Sequence, residues 1–246
     1  MQQDGLVLWM SSPLIGLVEI AQLCGFSNII IDVEHGSFDL EGLDRFLAFT
    51  KAKGISVIAK TQSPATDAIQ QVLDFGADAV VVPHLQGVEH ARQVTAAAKY
   101  PLLGIRSYMT GRVNDYTRPS TEFFGIENRR TRCYAMIETA ESLEEVEEIA
   151  ALDTVDGIFP GPSDLALARG RGAYAFTDAD RRDLVRCVNA ARAVGKPWMM
   201  PAWTPAERAF ALEHGAERII VSTQSMILRQ GLNATLQALK DEAVLG

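Results

Sequence analysis

Residues 28–39 read NIIIDVEHGSFD, an apolar run that ends in three ionisable side chains before Gly36 opens a turn. The segment from Asn28 to Asp32 has the uninterrupted, isoleucine-rich character of a strand buried on both faces. Asp32, Glu34 and His35 then follow within four residues. Such groups are costly to bury unless they are paired, hydrogen-bonded or bound to a metal. A buried strand that stops at a polar cluster is what a parallel α/β fold presents where its strands end and its loops begin.

The same unit recurs along the chain. Strand-like runs are expected at 6–9 (LVLW), 28–32 (NIIID), 56–60 (SVIAK), 79–82 (AVVV), 133–138 (CYAMIE), 157–160 (GIFP), 197–200 (PWMM) and 218–221 (RIIV). Between them lie stretches whose apolar residues return every three or four positions, several closed by glycine, as amphipathic helices are. Eight strands alternating with helices predict a (β/α)8 TIM barrel formed by one domain over residues 1–246, a length that suits this fold. A doubly wound sheet has the same alternation, but no G-x-G-x-x-G follows the first strand. The segment PLLGI at 101–105 reads as a connector, and residues 106–132 as one long irregular loop of the kind used for lids, binding or partner contacts.

Composition narrows the function. The chain is 48% hydrophobic with a formal net charge of −8 and no basic stripe, which argues against nucleic acid as a partner. Cys24, Cys133 and Cys187 are odd in number and widely spaced, as reduced thiols are. No signal-peptide pattern or membrane-length apolar run is present, so a soluble, unexported, cytoplasmic protein is expected.

In a barrel the reactive groups collect at the C-terminal ends of the strands. Those positions hold Trp9, Asp32, Glu34, His35, Lys60, His84, Glu138 and the GPSD segment Gly161 to Asp164. Glu138 and Asp164 are two carboxylates at the ends of adjacent strands, a donor set suited to a hard divalent cation that keeps several waters. Each also has a structural reading: Glu138 as a carboxylate near a helix start, Asp164 as a cap. Gly161 and Pro162 make a turn whose backbone N–H groups suit a small carboxylate, or simply connect a strand to a helix. His35 reads as a general base or as a structural imidazole, with Asp32 able to orient it. Glu34 is expected to alternate with those two, facing away and pairing with a base.

Taken together, GFSNIIIDVEHG (25–36), QQVLDFGADAVVVPHLQGVEHARQ (70–93), YPLLGIR (100–106), MIETAESLEEVEEI (136–149) and VDGIFPGPSDLALARG (155–170) resemble the HpcH/HpaI aldolases, metal-dependent pyruvate aldolases that cleave 4-hydroxy-2-oxo acids. The resemblance implies a barrel of the phosphoenolpyruvate mutase/isocitrate lyase type, with the last helix exchanged between subunits and a homohexamer built as a trimer of dimers. It implies Glu138 and Asp164 as ligands of Mg²⁺, Mn²⁺ or Co²⁺, and His35 as the acid/base. Trp9, Gly161, Pro162, Ser163 and Asp164 would form the pyruvate pocket. Asp32 and Asp74 fall on acidic positions that support the histidine and the subunit contact. The small-molecule partners would be a 2-oxo acid and an aldehyde.

Two departures from the family pattern stand out. Lys60 occupies an arginine position, replacing a planar fork by a point charge, and Met136 stands where a glutamine is usual. His84 replaces a smaller or apolar side chain and is expected to alter the pocket. Lys60 in the resulting scheme is an electrostatic group beside an enolate, although a lysine at a barrel strand end also suits an imine-forming aldolase. A noncatalytic barrel that binds a 2-oxo acid or metal is the remaining alternative. The arginines at 106, 112, 118, 129 and 130 are candidate anchors for a distal carboxylate.

Overall fold

The computed structural model describes residues 3–242. Eight parallel strands, β1 (Leu6–Met10), β2 (Asn28–Asp32), β3 (Ser56–Lys60), β4 (Ala79–Val82), β5 (Arg132–Ile137), β6 (Gly157–Pro160), β7 (Met199–Pro201) and β8 (Arg218–Thr223), pair in the order β6-β5-β4-β3-β2-β1-β8-β7. The two ends of that sheet meet at a bridge between Ile158 and Trp198, where the Ile158 N–H donates to the Pro197 carbonyl at 3.1 Å. This closes the (β/α)8 barrel. The expected spans of β2, β3, β4 and β6 match the structure residue for residue, while β7 starts two residues late. Pro197 has no N–H to donate to a ladder, so pairing begins beyond it.

Alternation along the strands builds two apolar layers. Val7, Ile30, Ile58, Val81, Tyr134, Met136, Phe159, Met199 and Ile220 point into the barrel and fill it. Leu8, Ile29, Ile31, Val57, Val80 and Ile137 point outward, under the helices. The inward parity has a consequence at the C-terminal mouth. Asp32 and Lys60, two residues beyond Ile30 and Ile58, must also face inward, and Glu138 follows Met136 in the same way.

The helices that clothe the barrel are α1 (Ile15–Leu23), α2 (Leu40–Ala52), α3 (Thr66–Asp74), α4 (Gly87–Thr95), α5 (Phe123–Arg130), α6 (Ala140–Glu144), α7 (Val146–Ala151), α8 (Pro162–Ala168), α9 (Asp178–Ala193), α10 (Pro205–Glu213) and α11 (Gln224–Asp241). Two regions differ from the pattern expected of the sequence. The loop at 106–132 contains α5, whose only buried residue is Glu127, so it carries no apolar period to mark it. The run SLEEVEEIAAL is broken into α6 and α7 at Glu145, whose Oε2 accepts the Val88 N–H and so leaves the regular helix to cap α4. Helix α11 rests on β8 and β1 through its first turns, and nearly all of it from Leu228 onward is exposed. No helix among the described residues is long and apolar enough to cross a membrane.

Candidate active site

At the C-terminal mouth a pocket of about 180 Å³ is lined by Trp9, Asp32, His35, Lys60, Met136, Phe159, Gly161, Pro162, Ser163, Asp164, Pro201 and Trp203. Residues from β1, β2, β3, β5, β6 and β7 or the turns after them thus converge, although they are up to 194 positions apart in sequence (Trp9 to Trp203). Trp9 sits against Phe159, ring centroids 6.4 Å apart, and these aromatic walls cap the interior core.

One side of the mouth carries a lysine tightly paired with two carboxylates. Lys60, 3% exposed, forms an ion pair with Glu34 and lies 3.6 Å from Asp32 Oδ1. The Glu34 carboxylate also bonds the His84 imidazole and lies 3.5 Å from His35 Nε2. Burial acts to raise the Glu34 carboxyl, but the hydrogen bonds from Lys60 and His84 prevail and hold it below the usual glutamate range. Glu34 therefore faces inward, contrary to the expectation that it turns away. Asp32 and Glu34 are two residues apart, and in extended chain that spacing shares a face. Asp32 in turn accepts the His35 backbone N–H at 3.1 Å rather than holding the imidazole.

The other side carries two further carboxylates, Glu138 and Asp164. Glu138 is 3% exposed, and its Oε1 accepts the His84 backbone N–H at 2.6 Å. Burial, with a further push from the negative charge of Asp164, raises the Glu138 carboxyl above its ordinary value against the opposing pull of His84 and Lys60. Between them stands Gly161. A Cβ there would lie 2.9 Å from Glu138 Cβ and 3.2 Å from its Oε2, so the glycine keeps open the space beside that oxygen. Glycine also precedes Pro162 at the first turn of α8, where Ser163 and Asp164 present backbone N–H groups that find no acceptor among the described residues. An N–H pair of this kind at a helix start suits an anionic group.

Two all-oxygen donors and an open side are what a hard divalent cation needs when waters and substrate complete its shell. The donor set of Glu138 and Asp164 fits such an ion. No group of three or more His, Cys, Asp or Glu among the described residues is arranged to hold a metal ion by itself, so a closed metal cage of the structural type is not built here.

Asp74 lies elsewhere. It ends α3, at the opposite end of the barrel from the pocket, and its Oδ1 accepts from Arg106 at 2.7 Å. Arg106 is buried against the Tyr100 ring, Arg112 pairs with Asp44 and the Phe75 carbonyl, and Arg130 pairs with Glu127 and Asp78. These three arginines serve the fold, not the pocket. The wall residues Phe159, Pro201 and Trp203 carry no motif that singles them out in the sequence. Their signal is the inward parity of β6 and of β7 continued beyond its end, visible only once Phe159 and Met199 are known to face inward.

The HpcH/HpaI aldolase/citrate lyase family model matches residues 6–219. The chain belongs to that family. Its members make or break carbon-carbon bonds, and this chain is a lyase of that class. Among curated proteins it is 28% identical over 241 residues to 2-keto-3-deoxy-L-rhamnonate aldolase of Salmonella paratyphi B, covering 95% of this chain and 88% of the relative. An HpcH/HpaI aldolase from Desulfitobacterium hafniense superposes with a TM-score of 0.88 at 24% identity, covering 97% of this chain and 93% of that one. The citrate synthase SbnG superposes equally well, with a TM-score of 0.88 at 22% identity over 99% and 96% of the two chains. Both structures share the fold.

Proposed function

We propose that this HpcH/HpaI member catalyses the reversible, divalent-metal-dependent aldol cleavage of a 4-hydroxy-2-oxo acid to pyruvate, or a related 2-oxo acid, and an aldehyde. The observation that carries this reading is one small pocket lined by Lys60 and His35 on one side and by Gly161 and Asp164 on the other, with the buried Glu138 packed against Gly161. Glu138 and Asp164 would hold Mg²⁺, Mn²⁺ or Co²⁺, which when bound supplies Lewis-acid polarisation of the 2-oxo carboxylate.

The chain's own groups divide the remaining work. The N–H groups of Ser163 and Asp164 bind the substrate carboxylate, and Trp9 with Phe159 shields the three-carbon unit from water. His35, with its ring largely exposed at the pocket rim, takes the proton from the C4 hydroxyl as the C3–C4 bond breaks and the aldehyde forms. A proton is then returned to C3 of the enolate to complete pyruvate, and the reverse path runs the same transfers backwards. Lys60 offsets the negative charge that develops on the enolate oxygen. Its Nζ is engaged by Glu34 and lies 3.6 Å from Asp32, contacts that an imine-forming lysine would have to give up, so the geometry supports the electrostatic role.

The rhamnonate aldolase relatives make a deoxygenated sugar-derived 2-oxo acid the first substrate to try. The exposed α11, with Leu228, Leu232 and Leu236 each at least half exposed, supports exchange of the last helix with a second subunit in a homo-oligomer, with a hexamer as the expected assembly. The test is pyruvate release from 4-hydroxy-2-oxo acids before and after EDTA, with each metal restored singly. Loss and recovery support the proposal. Activity indifferent to EDTA moves the chemistry to Lys60, and no activity on any such acid overturns the reading.

A further inference from the structure

Strand β4 brings no ionisable residue of its own to the mouth: its inward Val81 and outward Val82 are both apolar. His84, two residues later, has φ of +55°, a left-handed backbone that non-glycine residues adopt seldom and that clusters at functional sites. With that backbone its N–H donates to Glu138 Oε1, 2.6 Å away, while its ring reaches Glu34. Ring atom Nε2 bonds Glu34, and Nδ1 lies 3.4 Å from Glu138 Oε1. One residue therefore touches the carboxylates of both walls.

The contact to Glu34 matters because of what lies on its other oxygen. Lys60 ends in a compact charge on a four-carbon stem, so its own geometry does not fix where the ammonium sits. A carboxylate gripped by a single cation can swing with it. Glu34 is held at Oε1 by His84, while its Oε2 pairs with Lys60 and lies 3.5 Å from His35, and so anchored it keeps Lys60 against the pocket, 3.6 Å from Asp32.

We propose that His84 is a positioning residue that couples the two walls: its ring clamps Glu34 and so aims Lys60, while its left-handed backbone holds Glu138 in place. This rests on the reading of Lys60 and Glu138 as working groups of an aldolase. The backbone and ring roles are separable by substitution. His84→Gly keeps the left-handed backbone without strain and so keeps the N–H bond to Glu138, but removes the ring. His84→Ala removes the ring and also disfavours the backbone.

The experiment compares wild type, His84→Gly and His84→Ala by steady-state pyruvate release, with and without added imidazole, and by Mn²⁺ titration of the apoproteins. His84→Gly is expected to lose about 10- to 100-fold in kcat, the range typical of a lost outer partner, with little change in KM, because the ring does not line the pocket. The wild-type ring is 52% exposed, so the space it vacates opens to solvent, and imidazole should restore a several-fold share of that kcat. The Ala variant should bind Mn²⁺ about 10-fold more weakly than the Gly variant. Wild-type kcat in His84→Gly, or a loss that imidazole does not relieve, overturns the ring's role. Equal Mn²⁺ affinity in the Gly and Ala variants overturns the backbone's role. If the wild type lacks aldolase activity the functional reading falls alone, and the Mn²⁺ comparison still decides how His84 acts on Glu138. If the wild type neither turns over nor binds Mn²⁺, both fall.

Discussion

The two ends of the barrel are lined by the same kinds of residue and do opposite things. At the N-terminal end Arg132, Tyr134 and Glu217 form a closed set, with Arg132 donating to Glu217 at 2.6 Å and the Tyr134 hydroxyl donating to its other oxygen at 2.8 Å. Burial pushes the Tyr134 phenol up to about 12, so it stays a donor. Burial works against the Glu217 charge, yet its two partners hold the carboxyl below the usual range. At the C-terminal end, charge is left in surplus: Glu138 and Asp164 repel, and of the two only Glu138 has a firm partner among the described residues, a backbone N–H. A polar cluster that satisfies itself stabilises a fold, whereas one that does not is held in readiness for an ion or a substrate.

The difference is broken most severely at the carboxylates. Glu138→Gln or Asp164→Asn should lower kcat/KM by at least about 10²- to 10³-fold while the melting temperature stays near that of the wild type. Steady-state kinetics beside calorimetry will check this, and unaltered activity in either variant removes the metal assignment. His35→Asn should come next, with about 10²-fold lost from kcat and Mn²⁺ affinity unchanged, as expected of a proton carrier that is not a ligand. Mn²⁺ titrations across pH should show affinity falling as the solution is acidified, beginning above the ordinary glutamate range, because burial and Asp164 raise the proton affinity of Glu138. An affinity flat down to the usual carboxylate range would contradict that.

The opposite end should answer in stability alone. Tyr134→Phe removes one bond to Glu217 and should cost about 1 kcal/mol in denaturant unfolding with kcat intact. The smallest effect concerns acid. The folded value of Glu217 lies below its unfolded one, so its contribution is complete above the unfolded value and fades as pH falls through the folded value. Glu217→Gln should therefore lower stability at neutral pH and flatten its acid limb. A parallel downward shift at all pH values would show that the ionised carboxylate contributes nothing.

Much of this molecule is legible in its residues alone. Runs such as AVVV and NIIID are strands because their side chains are buried on both sides, and that burial is written directly as unbroken apolar sequence. Glu138, Asp164 and His35 stand out for the converse reason, as ionisable groups at strand ends where apolar residues stop. Helix α5 is not legible in this way, since its only buried residue is the charged Glu127 and no apolar stripe marks it.

The sequence by itself determined the alternation of strand and helix, the family, and which residues carry charge at the mouth. Those follow from local periodicity and from motifs that need no partner to be recognised. Only the tertiary structure decided who faces whom. Glu34 meets His84 across 50 residues and Lys60 across 26, Asp74 turns away to Arg106, and Trp203 arrives from β7 to close a pocket begun by Trp9. Those pairings depend on strand register and on the closing of the sheet, which bring together strand ends that no local pattern relates.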